Sequence, residues 1–150
     1  MPPPVLATVL AAMLATSLGL GACGGSSTPT PTATACPDPD PGTLTYDNFG
    51  RSFMERYCVQ CHASALTRSM RHGAPLYHDF DTLRGILQTA GHIDEQAGHG
   101  PAAENTFMPP DRCPSTPGGP LDADCAQPTA EERRDLARWL ACEVDRPHAF

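Results

Sequence analysis

Apolar residues fall at helical spacing in three stretches of the chain. Phe49, Phe53, Met54 and Tyr57 predict a first helix over 46–57. Phe80, Leu83, Ile86 and Leu87 predict a second, from Asp79 or Phe80 to Ala90, with Gly91 as its stop. Leu136, Trp139 and Leu140 form the stripe of a third. Thr129 and Glu132 precede that stripe at capping-box spacing, and Arg133, Arg134 and Arg138 are expected on its other side. No segment alternates as a half-buried strand does. The pattern predicts an all-α domain over 43–150, its folded part running to about Pro147. A Gly/Pro-rich stretch, 98–128, separates the second helix from the last. Seventeen prolines and thirteen glycines argue for long loops between short helices. Such helices make a thin core for about a hundred residues, so a further apolar body is expected at the centre.

The N-terminus has a different pattern. Residues 5–20 are apolar and uncharged, a stretch sized for a signal h-region and marginal for a membrane span. The four residues before it carry no Lys or Arg. Leu20-Gly21-Ala22-Cys23 resembles the lipobox of bacterial lipoproteins. The resemblance implies that 1–22 is a signal peptide and that Cys23 carries lipid after cleavage. Gly24, where Asp would retain the protein at the inner membrane, resembles the outer-membrane sorting pattern. The expected location is therefore the cell envelope, at the periplasmic face of the outer membrane. Residues 23–42 are rich in Gly, Ser, Thr and Pro and read as a flexible linker. The net charge of −7 disfavours a nucleic-acid partner, which needs clustered Lys and Arg. It agrees with docking to a basic redox protein, although acidic proteins are common.

The candidate chemistry lies at the end of the first helix. Cys58-Val59-Gln60-Cys61-His62 is C-x-x-C-H. Two thiols three positions apart share one side of a helical turn and can add to the two vinyl groups of a haem. The histidine that follows can then ligate the iron from below. A thioredoxin-like site would instead follow a strand, and a zinc site would need a second close pair of ligands. Downstream, Met108 precedes Pro109 and Pro110. A thioether in a loop stiffened by prolines can fill the sixth position on iron. His72, His78, His92 and His99 are the competing ligands. Arg68, Arg71, Tyr77 and Trp139 could each bond a haem propionate, and none of them is singled out.

With these motifs the segment from about Thr43 to Val144 resembles a monohaem class I cytochrome c. C-x-x-C-H closes the first helix. Gly50, eight residues before Cys58, stands where that family often has a small residue for a close crossing of first and last helices. Trp139 and Leu140 match the aromatic and aliphatic positions of the last helix, and Met-Pro-Pro matches the distal-ligand loop. The resemblance implies a cytochrome c-like fold around one covalent haem c, with Cys58, Cys61, His62 and Met108 holding the cofactor and His62 and Met108 ligating the metal. It implies electron transfer between redox protein partners, not catalysis. Three features depart from the pattern: the insertion at 112–128, the lipoprotein linker, and four further cysteines. Those four, Cys36, Cys113, Cys125 and Cys142, imply two disulfides in an exported chain and leave three pairings open. Cys113 with Cys125, and Cys36 with Cys142, is the favoured set. Two other functions compete. One is a haem sensor or small peroxidase with a displaceable sixth ligand. The other is a disulfide-stapled surface binding module without haem.

Overall fold

The computed structural model describes residues 31–98, 105–122 and 125–150. Among them the regular structure is helical, apart from an isolated antiparallel bridge between Pro114 and Leu121. Thr45 opens the first helical segment. Its hydroxyl accepts from the Asn48 N–H at 3.2 Å, and its own N–H donates to Asn48 Oδ1 at 2.8 Å. A π-helical turn, Tyr46–Gly50, runs directly into α1, Arg51–Tyr57. The predicted first helix is thus observed over its expected length.

The last helix, α4, spans Ala130–Glu143 and starts on the expected capping box. The Glu132 N–H donates to Thr129 Oγ1 at 3.2 Å, and the Thr129 N–H donates back to Glu132 Oε2 at 2.8 Å. Each bond satisfies an amide that the helix itself leaves without an acceptor. The two helical segments meet at Gly50, where a Cβ would overlap the ring of Trp139. Tyr46 and Phe49 flank the same indole, with ring centroids 6.5 and 6.0 Å away. Phe53, Met54, Leu136 and Leu140 complete this buried contact. Each large apolar side chain taken out of water there contributes about 1.5–3 kcal/mol.

Between these segments the single expected helix is two. α2 is Leu83–Gln88 and α3 is Ala90–Ala97. Thr82 caps α2 by accepting from the Gly85 N–H. Thr89 then interrupts it: its backbone leaves the helical region, and its hydroxyl donates to the carbonyls of Gly85 and Ile86. A hydroxyl that competes for helix carbonyls is a local reason for such a break. The Thr89 carbonyl accepts from the Ile93 N–H and starts α3. Gly91 therefore lies inside a helix and does not stop one. Ala90, Ile93 and Ala97 carry the apolar stripe onward against α4. A short 3-10 turn, Arg68–Arg71, had no counterpart in the sequence pattern.

Both favoured disulfides are formed, Cys36–Cys142 and Cys113–Cys125. The first fastens the second half of the proposed linker to α4. Further bonds secure it. Oδ2 of the buried Asp94 accepts from the N–H groups of Ala33 and Thr34, at 3.2 Å each, and Asp40 pairs with Arg146 at 2.8 Å. Residues 31–42 are thus held on the domain. The signal-like stretch 1–22, Cys23 and His99 lie outside the described residues. No described helix is long and apolar enough to cross a membrane.

Candidate functional site

The end of α1 shapes the C-x-x-C-H segment. The N–H groups of Cys58 and Val59 both donate to the Met54 carbonyl, and those of Cys61 and His62 both donate to the Cys58 carbonyl. The chain turns once and brings both cysteines and His62 to one cleft. That cleft encloses about 280 Å³, and its wall includes Phe53, Phe80, Ile93 and Met108. The four candidate cofactor-binding residues, Cys58, Cys61, His62 and Met108, therefore line a common space. The two cysteines remain free thiols while the other described cysteines pair. Burial pushes the Cys58 thiol up to about 12 and raises that of Cys61 as well. Both are neutral thiols at pH 7, the opposite of the depressed pKa of a thioredoxin-type nucleophile.

His62 is held on three sides. Its ring stacks on Phe80 with centroids 4.3 Å apart, and its carbonyl accepts from the Phe80 N–H at 2.7 Å. Its Nδ1 lies 3.2 Å from the His78 carbonyl. A carbonyl only accepts, so this bond places the proton on Nδ1 and leaves the Nε2 lone pair for a ligand. Burial lowers the His62 pKa to about 4, which keeps the ring neutral at pH 7.

Arg71 organises the same wall. It is 1% exposed. Nη1 donates to the Ala63 carbonyl and to Asp79, both at 2.9 Å, while Nη2 donates to the Pro75 and His78 carbonyls, both at 2.8 Å. The His78 carbonyl therefore serves both Arg71 and His62. Arg71 Nε is buried without a partner, and the residue lines the cleft. Of the other propionate candidates, Trp139 is engaged elsewhere, its Nε1–H donating to Glu143 at 2.9 Å. Tyr77 is 81% exposed.

Met108 faces the same cleft from the long loop. Its N–H donates to the Gln96 carbonyl at 2.9 Å, and its carbonyl accepts from Arg133 at 2.8 Å. Arg133 is 3% exposed, which corrects the expectation that it covers the solvent side of the last helix. The physical reason is a cluster of main-chain carbonyls, from Ala97, Asn105 and Met108, that needs a donor. A signal for this existed in the sequence. Position 133 precedes Leu136 and Leu140 at helical spacing and so lies on the buried stripe. Among the competing ligands, His72, His78 and His92 all line the cleft; the rings of His78 and His92 have centroids 5.3 Å apart, and His72 Nε2 is 2.8 Å from the Gly119 carbonyl.

The insertion is also part of the site. The Gly118 N–H donates to the Gln60 carbonyl at 3.0 Å, inside the C-x-x-C turn. Gly118 has φ +69°, and a Cβ there would crowd Met70. The disulfide-closed loop thus lies across the turn that carries the thiols. Cys36, Asp40 and Cys142 also converge closely enough for a metal ion, but the two sulfurs are joined to each other. No protein-family model, curated protein or solved structure matches the chain.

Proposed function

We propose that the protein is an electron-transfer cytochrome of the class I c type, carrying one haem c bound covalently through Cys58 and Cys61. The single observation that carries this reading is the convergence of two unpaired thiols, a neutral histidine with Nε2 free, and a methionine on one apolar cleft. The helix crossing at Gly50 and Trp139 supports the same family. The unpartnered Arg71 Nε supports the fit of an anionic group in that cleft, as the haem propionates would supply. Bound, the haem provides an iron that cycles between its ferric and ferrous states.

The chain's own residues do the rest. Cys58 and Cys61 would hold the macrocycle by two thioether bonds, formed by adding their thiols across its vinyl groups. His62, its ring oriented by the His78 carbonyl, would offer Nε2 to the iron, and Met108, which lines the same cleft, would offer its thioether. Phe53, Phe80 and Ile93 exclude water, which limits reorganisation when charge changes. A lipid on Cys23 would confine the protein to the periplasmic face of the outer membrane, where it would exchange electrons with redox proteins.

The test is an absorption spectrum of the exported protein, oxidised and reduced, with haem staining after denaturation. The expected result is a covalent c-type haem with a sulfur-to-iron charge-transfer band that Met108→Ala abolishes. A chain without covalent haem would leave the stapled binding module as the better account. One observation favours a second reading: Met108 is 41% exposed. A sensor or small peroxidase needs a displaceable sixth ligand, and rapid carbon monoxide binding by the native ferrous protein would select it.

A further inference from the structure

We propose that Arg133 and Gln127 form a clamp that positions Met108 and holds the sixth coordination site closed. The inference rests on the haem reading given above, and it assigns the residues that decide whether the methionine stays in place.

Met108 sits in a segment, 105–110, without regular structure and so without a ladder of its own. Its main chain must be held by other parts of the molecule. Arg133 supplies that hold from the first turns of α4. Nη1 lies 2.9 Å from the Ala97 carbonyl, 2.7 Å from that of Asn105 and 2.8 Å from that of Met108. One nitrogen thereby joins the end of α3 to the start of the short stretch and to the ligand residue itself. Gln127 extends the clamp. Its Oε1 accepts from Arg133 Nη2 at 3.4 Å, and its Nε2 donates to the carbonyls of Pro109 and Pro110 at 3.3 and 3.2 Å. Three consecutive carbonyls, of Met108, Pro109 and Pro110, are thus held by two side chains from the start of the last helix and the residues just before it.

This arrangement has a chemical reason. Pro109 and Pro110 carry no N–H, so main-chain hydrogen bonds can anchor the segment there only through its carbonyls, beside the packing of the buried Pro109. Carbonyls need donors, and guanidinium and amide groups supply several in fixed geometry. The side chain of Met108 is 41% exposed, so packing covers it only in part and its main chain must help to set its place over the cleft. Arg133 acts through Met108 and is a positioning residue.

The test uses the haem-loaded protein and imidazole as a competing ligand for the ferric iron. Imidazole binds only when the methionine is displaced, so its apparent affinity reports the open fraction. Arg133→Gln and Gln127→Ala should each tighten imidazole binding by about tenfold and weaken the sulfur-to-iron band. Arg133→Lys, which keeps a charge and three donors, should fall between wild type and Arg133→Gln. In a Met108→Ala background, Arg133→Gln should change the affinity by less than about twofold, because no methionine remains to position. An equal tightening in both backgrounds would overturn the clamp, and so would unchanged affinity in Gln127→Ala. The latter result decides the matter even if Arg133→Gln fails to fold. Failure of the parent reading looks different: a chain without covalent haem would give no haem spectrum at all, and a haem not ligated by Met108 would keep its imidazole affinity and spectrum in Met108→Ala.

Discussion

The two walls of the cleft are built at different ranges along the chain. The His62 wall is held mainly within 58–81, with the Gly118 N–H and the Gly119 carbonyl as its bonds from farther along the chain. Arg71 reaches carbonyls four to eight residues away, and Ser64 bonds Asp81 through both its hydroxyl and its N–H. The Met108 wall is assembled from distant pieces. Arg133 reaches back 36, 28 and 25 residues to its three carbonyls, and Gln127 reaches back 18 to Pro109. A local wall can form early and by itself, whereas the distant one needs α3 and α4 already docked. Each wall nevertheless uses the same device, a buried arginine that gathers main-chain carbonyls from loops too irregular to pair their own.

Removing the local arginine should have the largest effect. Arg71→Met leaves Asp79 without its buried partner and strips the Ala63, Pro75 and His78 carbonyls of a donor. We expect a loss of about 3–5 kcal/mol in denaturant unfolding, chiefly from main-chain carbonyls left without a donor, since Asp79 itself is partly exposed. Asp79→Asn keeps an acceptor for Arg71 and should cost only about 1 kcal/mol. Equal losses in the two variants would show that the ion pair, and not the gathered carbonyls, holds the wall.

A change at the helix crossing should weaken both walls at once, because α1 leads directly into the turn with the thiols and α4 carries Arg133. Gly50→Ala drives a methyl group into the Trp139 ring in a packed core. The expected cost is about 1–3 kcal/mol, with the two helices forced apart. Near-UV circular dichroism of Trp139 and denaturant unfolding would both register it. An unchanged indole signal with full stability would mean that the crossing has slack which the static geometry does not show.

The contrast in range also explains what could be read from the sequence. Local periodicity gave the first and last helices, and the capping box at Thr129 and Glu132 placed the start of α4. The C-x-x-C-H spacing carried the chemistry of three site residues because one helical turn determines their arrangement. Counting the cysteines left over predicted two disulfides and left three pairings open, and the structure forms the favoured set. The break at Thr89 was hidden, since Phe80, Leu83, Ile86 and Leu87 keep helical spacing up to it and a hydroxyl decides the rest. The role of Arg133 was hidden for a different reason. Charge marked it as exposed while its position marked it as buried, and only the distant carbonyls of Ala97, Asn105 and Met108 resolve the conflict. Arg71 was legible as a cation and illegible as a scaffold because its nearby carbonyls lie in irregular turns whose course no periodicity sets.

The smallest expected effect concerns the link that joins the walls. Tyr57, at the end of α1, donates its hydroxyl to Glu132 Oε1 at 2.9 Å, at the start of α4. The Thr129 N–H, foremost, and the bonds from Tyr57 and the Thr129 hydroxyl hold the Glu132 carboxyl below the usual carboxylate range, against the opposing pull of burial. A carboxylate whose pKa is depressed by folding stabilises the folded state above its unfolded pKa, and that contribution is lost as pH falls through the folded one. Glu132 is about a third exposed, so water screens the effect to less than about 1 kcal/mol. Glu132→Gln should therefore be slightly less stable than wild type at pH 7, and the difference should shrink as pH falls below about 4. Stability curves measured for both proteins from neutral to acid pH should converge. A gap that stays constant with pH would mean that Glu132 joins the walls by shape and hydrogen bonding alone, with its charge contributing nothing.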